Sequence, residues 1–220
     1  MRTFRHVNGI RTVQPQVLSM YTHSNQGNSM SAVMNDWIHR HLITVDEYHR
    51  MKEVGILPPD ARVELIEGEI IDMEPIGTDH GGATGQLSEI LTRAVADFAH
   101  VRCQSALRLS DLMEFQPDLV LVRRQADFYK RAPPGPAQTL LVVEVSNTSL
   151  RFDTQVKAPL YALHRIPELW IVNLTDHEIQ FHRAPQDGKY TEVTTTSTPG
   201  IVTPIALPDA HLDLTHLFDN

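Results

Sequence analysis

The stretch LLVVEVSNTSLRFDTQVKAPLYALHRIPELWIVNL, residues 140–174, decides the fold. It opens on the apolar run Leu140 to Val145, which reads as a strand buried on both faces. Asp153 then offers itself as a cap for a helix from about Thr154 to Arg165. Pro159 lies inside that helix, costs it a hydrogen bond and implies a kink or a late start. Leu169 to Asn173 and Glu178 to His182 read as a strand pair around Thr175-Asp176-His177.

Working outward, Pro117 to Val122 is a second apolar strand, and Val101 to Leu109 alternates as a strand should. Residues 84–99 carry a helical stripe of Leu87, Ile90, Leu91, Ala94, Val95 and Phe98. RVELIEGEIIDM, residues 62–73, reads as a hairpin turning at Gly68. Thr44 followed by Glu47 is a capping-box signature for a helix stopped by Gly55 and Pro58. Helices and strands alternating in this order predict a mixed α/β (α+β) domain with a central sheet flanked by helices.

Residues 1–33 differ: three arginines, no acidic residue and no persistent period predict a flexible extension, with the folded domain over 34–220. Met30 and Met34 stand where the patterned region begins and are alternative starts. The 220 residues carry a net charge of −8, so no overall basic field is available to hold nucleic acid by charge alone. The single cysteine, Cys103, forms no internal disulfide. No apolar run is long enough to span a bilayer. These features together predict a cytoplasmic protein without membrane attachment.

The chemistry concentrates where strands end. Asp118 opens one apolar strand and Glu144 closes another. A carboxylate there is costly unless paired or metal-bound. Two on neighbouring strands make an oxygen cage for a hard divalent cation, to which the Val145 carbonyl could add. Glu64 lies among apolar neighbours and is a third candidate. Lys157, on the following helix, could reach the same pocket, and Tyr161 shares its helical face at i+4. The chain has 12 histidines but no H-E-x-x-H motif, so structural zinc is not expected. His80, in a Gly-rich turn, reads as a surface-loop histidine, with a place near the pocket mouth as the alternative. Arg123, Arg124, Lys130 and Arg131 read as a solvated loop, with contact to DNA phosphates as the functional alternative.

The segments VELIEGEIIDMEPIGTDH, VRCQSALRL, FQPDLVLVRR, residues 140–174 and GIVTPIALPDAHLDL resemble the Uma-type, restriction-endonuclease-like family of the PD-(D/E)XK nuclease superfamily. The resemblance runs from about residue 37 to 218. It implies a restriction-endonuclease-like core and Mg²⁺-dependent hydrolysis of DNA phosphodiester bonds, with Mn²⁺ as an alternative ion. It assigns Glu64, Asp118 and Glu144 as the acidic set, Asp118 and Glu144 as metal ligands and Lys157 as the catalytic lysine. The superfamily places its lysine two residues after the second acid, which here is Ser146, so the chain departs from the pattern there. Gln104 matches a recurrent polar position, and Gln104 and Tyr161 are the candidate substrate-binding side chains. Cutting both strands of a duplex calls for two active sites, so a homodimer is expected, with Leu169 to His182 and the apolar C-terminal segment as its interface. The rival reading is a non-catalytic DNA-binding or assembly module on the same fold.

Overall fold

The computed structural model describes residues 40–219, so the extension expected over 1–33 lies outside the described residues. From Leu42 onward the chain forms one compact unit. Helix α1 (Val45–Glu53) begins with the expected capping box, the Glu47 N–H donating to Thr44 Oγ1 at 3.2 Å and the Thr44 N–H to Glu47 Oε2 at 2.8 Å. Strands β1 (Val63–Ile66) and β2 (Glu69–Asp72) pair antiparallel around Glu67 and Gly68, both at positive φ, as a tight hairpin demands. Helix α2 spans Thr78–Val95. Strands β3 (Ala99–Cys103), β4 (Leu107–Ser110), β5 (Met113–Phe115), β6 (Leu119–Arg123) and β7 (Thr139–Ser146) follow.

Beyond β7 the chain enters α3 (Leu150–Phe152), a π-helical turn (Asp153–Lys157) and α4 (Ala158–Leu163) without interruption. Strands β8 (Glu168–Asn173), β9 (Glu178–Gln186) and β10 (Lys189–Thr196) and the short pair β11 (Ile201–Val202) and β12 (Leu212–Asp213) complete the chain. A four-stranded sheet runs β2-β1-β5-β4, and a six-stranded sheet runs β10-β9-β8-β7-β6-β3. Within the larger sheet only β7 and β8 are parallel, joined by the helical crossover; the other neighbours are antiparallel.

The centre of the larger sheet is buried on both faces, which explains the continuous apolar runs of β6, β7 and β8. Leu119, Leu121, Leu141 and Val143 meet Leu87, Leu91 and Val95 of α2 on one face. On the other, Val120, Val122, Val142 and Ile171 meet Leu107 and Phe115 of the smaller sheet and Leu160 and Tyr161 of α4. Alternation along β6 sends successive side chains to these two layers.

Several expectations need correction. The alternating run Val101 to Leu109 is two strands in two sheets, because Gln104 at φ 42° turns the chain between them. Helix α2 starts six residues before the apolar stripe, in a Gly-rich segment of poor helix propensity, and ends at Val95, leaving Phe98 exposed. Asp153 is not an N-cap; it lies inside helical backbone and is buried. Pro159 is accommodated by the π turn before it, in which the Ala158 N–H bonds the Asp153 carbonyl. Parts of the segments expected at a dimer interface also pack within the chain. Strand β8 is fully buried between β7 and β9, β10 covers β9, and Leu212, Leu214 and Leu217 join the core beside α2. Among the described residues no helix is long and apolar enough to cross a membrane.

Gly68 is the tightest point of the hairpin. It sits at φ 80°, its N–H donates to the Leu112 carbonyl, and an added Cβ would lie 2.6 Å from Leu42 Cβ. Gly68→Ala is expected to cost about 2 kcal/mol or more, from left-handed strain plus overlap. Urea unfolding measures this, and stability equal to wild type would contradict the packing described.

Candidate active site

The site forms where β6 and β7 run antiparallel with Leu119 opposite Val143, which brings Asp118 beside Glu144. The Val145 N–H donates to Asp118 Oδ2 at 2.8 Å, and the Asp118 N–H to Glu144 Oε2 at 3.4 Å. Glu64 comes from β1 of the other sheet, and its Oε1 accepts the Gln116 N–H at 2.8 Å. Lys157, in the π turn, places Nζ 3.2 Å from both Glu64 Oε1 and Glu144 Oε1. The Tyr161 hydroxyl donates to Glu144 Oε1 at 2.6 Å, and its ring meets Phe115 edge-on. Gln104 Nε2 lies 3.5 Å from Asp118 Oδ1, on the exposed side. All six side chains expected at the site therefore converge, drawn from both sheets and the crossover helix.

Two more groups belong to the cluster: His80, which the sequence offered there only as an alternative, and Asp153, which it placed elsewhere. His80, in the first turn of α2, places Nε2 3.1 Å from Asp118 Oδ2, so it is no surface-loop histidine. The helix stripe that locates α2 begins after it, which hid its position. Asp153 accepts the Ser146 hydroxyl at 2.7 Å and the Ser149 hydroxyl at 2.6 Å. The legible signal was Ser149 four residues before Asp153, one helical turn away. Ser146, which stands at the superfamily's lysine position, is fully buried and anchors the turn that carries Lys157.

The family profile described as "Uma2: Putative restriction endonuclease" matches residues 45–215. The chain belongs to the Uma2 family. A solved structure described as "a putative nuclease belonging to DUF820 from Anabaena variabilis" superposes on this Uma2 chain with a TM-score of 0.63 at 18% identity, covering 80% of this chain and 97% of that one. At that identity the likeness establishes the shared fold. No curated protein matches the sequence.

The electrostatics of the Uma2 site are those of too many acids for one base. Glu64, Asp118, Glu144 and Asp153 are all buried around a buried Lys157. The Glu144 carboxyl is raised to about 8, chiefly by burial and further by Asp153, Asp118 and Glu64, against the downward pull of Lys157. Burial works to lower the Lys157 amine, yet Glu144, Glu64 and Asp153 hold it above its ordinary value, so it stays charged. Asp153 is raised, chiefly by burial. His80 is raised, chiefly by its hydrogen bond to Asp118.

This donor set suits a hard cation. Its oxygens are carboxylates in excess of positive charge, and Glu64 Oε2 is buried with no hydrogen-bond partner. Against this, Glu144 Oε1 is already engaged by both Lys157 and Tyr161. Among the described residues no three acidic, histidine or cysteine side chains are gathered as a ready ligand set.

In the presence of chelator, the raised Glu144 makes the folded state hold a proton that the unfolded chain releases near 4.5. Stability is then greatest below that value and falls as pH rises towards about 8, by on the order of 1 kcal/mol per pH unit. Asp153 and His80, also raised, act in the same sense. Urea unfolding across this window should show the fall, and Glu144→Gln should remove Glu144's share. A wild-type profile that rises across the window would contradict the buried-acid description.

Proposed function

We propose that this Uma2 chain is a divalent-cation-dependent endonuclease that hydrolyses DNA phosphodiester bonds, with Mg²⁺, or Mn²⁺ in its place, as the ion. The observation that carries the reading is the Lys157 amine, 3.2 Å from Glu144 and Glu64 beside Asp118. A nuclease of this fold needs one cationic side chain beside its acids, and Ser146 cannot provide it.

Asp118 and Glu144 would hold the cation, which would supply polarisation of the phosphoryl group and a lowered pKa for a bound water. Lys157 stabilises charge that develops on the phosphate. Glu64 holds the amine with one oxygen and has the other available for the cation or the water. Tyr161 fixes the orientation of Glu144, and His80 that of Asp118. Gln104, on the exposed side of Asp118, contacts the substrate. Double-strand cleavage would be served by two such sites in a homodimer, and a cytoplasmic location would give the protein access to DNA.

The engagement of Glu144 by Lys157 and Tyr161 favours the second reading, a DNA-binding or assembly module that has lost catalysis. Incubation of supercoiled plasmid with the purified protein in Mg²⁺, Mn²⁺ or EDTA separates the two. The proposal expects nicking in either metal, none in EDTA, and loss of both nicking and Mn²⁺ binding in Glu144→Ala. DNA binding that is equal in EDTA, without cleavage in any metal, establishes the module instead.

A further inference from the structure

An exposed basic and aromatic patch lies at the far end of the edge strand that leads out of the active site. Strand β3 pairs with β6 so that Cys103 faces Leu119, beside Asp118, and Ala99 faces Arg123 at the opposite end. Arg102 and His100 alternate onto the face of the sheet opposite α2, and Gln104 follows the end of the strand at φ 42°, where the chain turns. Four residues at about 3.3 Å each separate Gln104 from His100, a span of about 13 Å. A strand seated at Asp118 and lying along β3 therefore reaches the patch.

The patch has the chemistry for such a strand. His100 and Phe128 stack with ring centroids 4.3 Å apart, and Phe128 remains 56% exposed, leaving ring surface open to solvent. Phe128 and Tyr129 both adopt positive φ, 54° and 59°, a conformation that L residues enter at a cost. The turn sends Tyr129 inward, its hydroxyl on the Arg123 carbonyl at 2.6 Å, while Phe128 stays outside. Arg102, Arg124, His100 and Phe128 line a concavity of about 340 Å³. Arg123, Arg124, Lys130 and Arg131 are exposed on the same loop, against Asp127 there and Asp97 opposite. Among the described residues, no carboxylate forms an ion pair with any of these arginines, with Arg102 or with Lys130. On an acidic chain this is a concentrated positive field with an aromatic platform in it.

We infer that this patch binds an unpaired segment of the DNA substrate. Phe128 takes a base on its open face, and Arg102, Arg124, Lys130 and Arg131 take the phosphates. Bases in a duplex are stacked on one another and offer no face to Phe128; an unpaired base does. The preferred substrate is then DNA with a single-stranded flank, such as a flap, rather than a continuous duplex. This rests on the nuclease reading for the role of DNA, but its test does not depend on cleavage.

The test is fluorescence anisotropy in EDTA with a labelled oligothymidylate, its duplex with oligoadenylate, and a duplex carrying an oligothymidylate flap. Wild type should prefer the single strand and the flap. Phe128→Ala should weaken both by about 5- to 100-fold, the worth of one stacked base, and leave the duplex unchanged. Arg131→Glu should make binding of the single strand less salt-dependent, lowering the log–log slope by about 1 or more. Equal binding by Phe128→Ala and wild type, preference for the duplex, or no binding to any of the three overturns the inference. The nuclease reading fails separately. If no DNA is cut in Mn²⁺ while Phe128→Ala still loses the flap, the patch stands without catalysis. If wild type and Phe128→Ala cut flap and duplex alike, the nuclease stands without the patch.

Discussion

The ammonium of Lys157, buried between Glu64 and Glu144, is the contact on which the arrangement of this domain turns. Each partner comes from a different part of the fold: Glu64 from the small sheet, Glu144 from the large one and Lys157 from the crossover between β7 and β8. Removing Lys157 leaves its buried acids uncompensated, a loss of about 3–5 kcal/mol, whereas removing either acid leaves the amine paired with the other. The apolar layer around Phe115, Val142 and Tyr161 seals the cluster and makes its electrostatics strong. Packing brings the sheets together; the charge cluster fixes their relation at one point.

The amine reaches that point through local irregularity. Pro159 has no N–H to donate to the Gln155 carbonyl, and the π turn absorbs the interruption by adding a residue to the ladder. Asp153, held by the hydroxyls of Ser146 and Ser149, anchors the start of that turn, and Lys157 ends it. Ser146 thus supports the turn that carries Lys157. A serine suits this role, because it reaches Asp153 from a strand position with no exposed surface.

Much of this was legible in the sequence where one period dominated. The capping box at Thr44, the hairpin at Gly68 and the apolar runs of β6 and β7 each carry a local signal that tertiary packing reinforces. The break at Gln104 was hidden because alternation continues across it while the strand changes sheets. The start of α2 was hidden by glycines, and His80 with it. Carboxylates in apolar strands stood out because burying a charge is costly, so Asp118 and Glu144 were easy to find. Asp153 was misplaced for the opposite reason: an acid before a helical pattern looks like a cap, and only the fold shows it facing Ser146. The basic loop at 123–131 reads as solvated in one dimension, and its tie to the active site appears only through the register of β3 with β6.

The proposed role of Lys157, serving the acids from the helix rather than from the strand, is open to one decisive measurement. It is single-turnover DNA cleavage by Lys157→Ala, with Lys157→Met in parallel in case truncation unfolds the domain. The variant used must retain wild-type Mn²⁺ binding, since lysine is not a ligand. The account predicts a rate roughly 10²-fold or more below wild type, the scale of losing one electrostatic stabiliser. A folded, Mn²⁺-binding variant that cuts at the wild-type rate would make Lys157 a structural counter-ion alone and contradict the account.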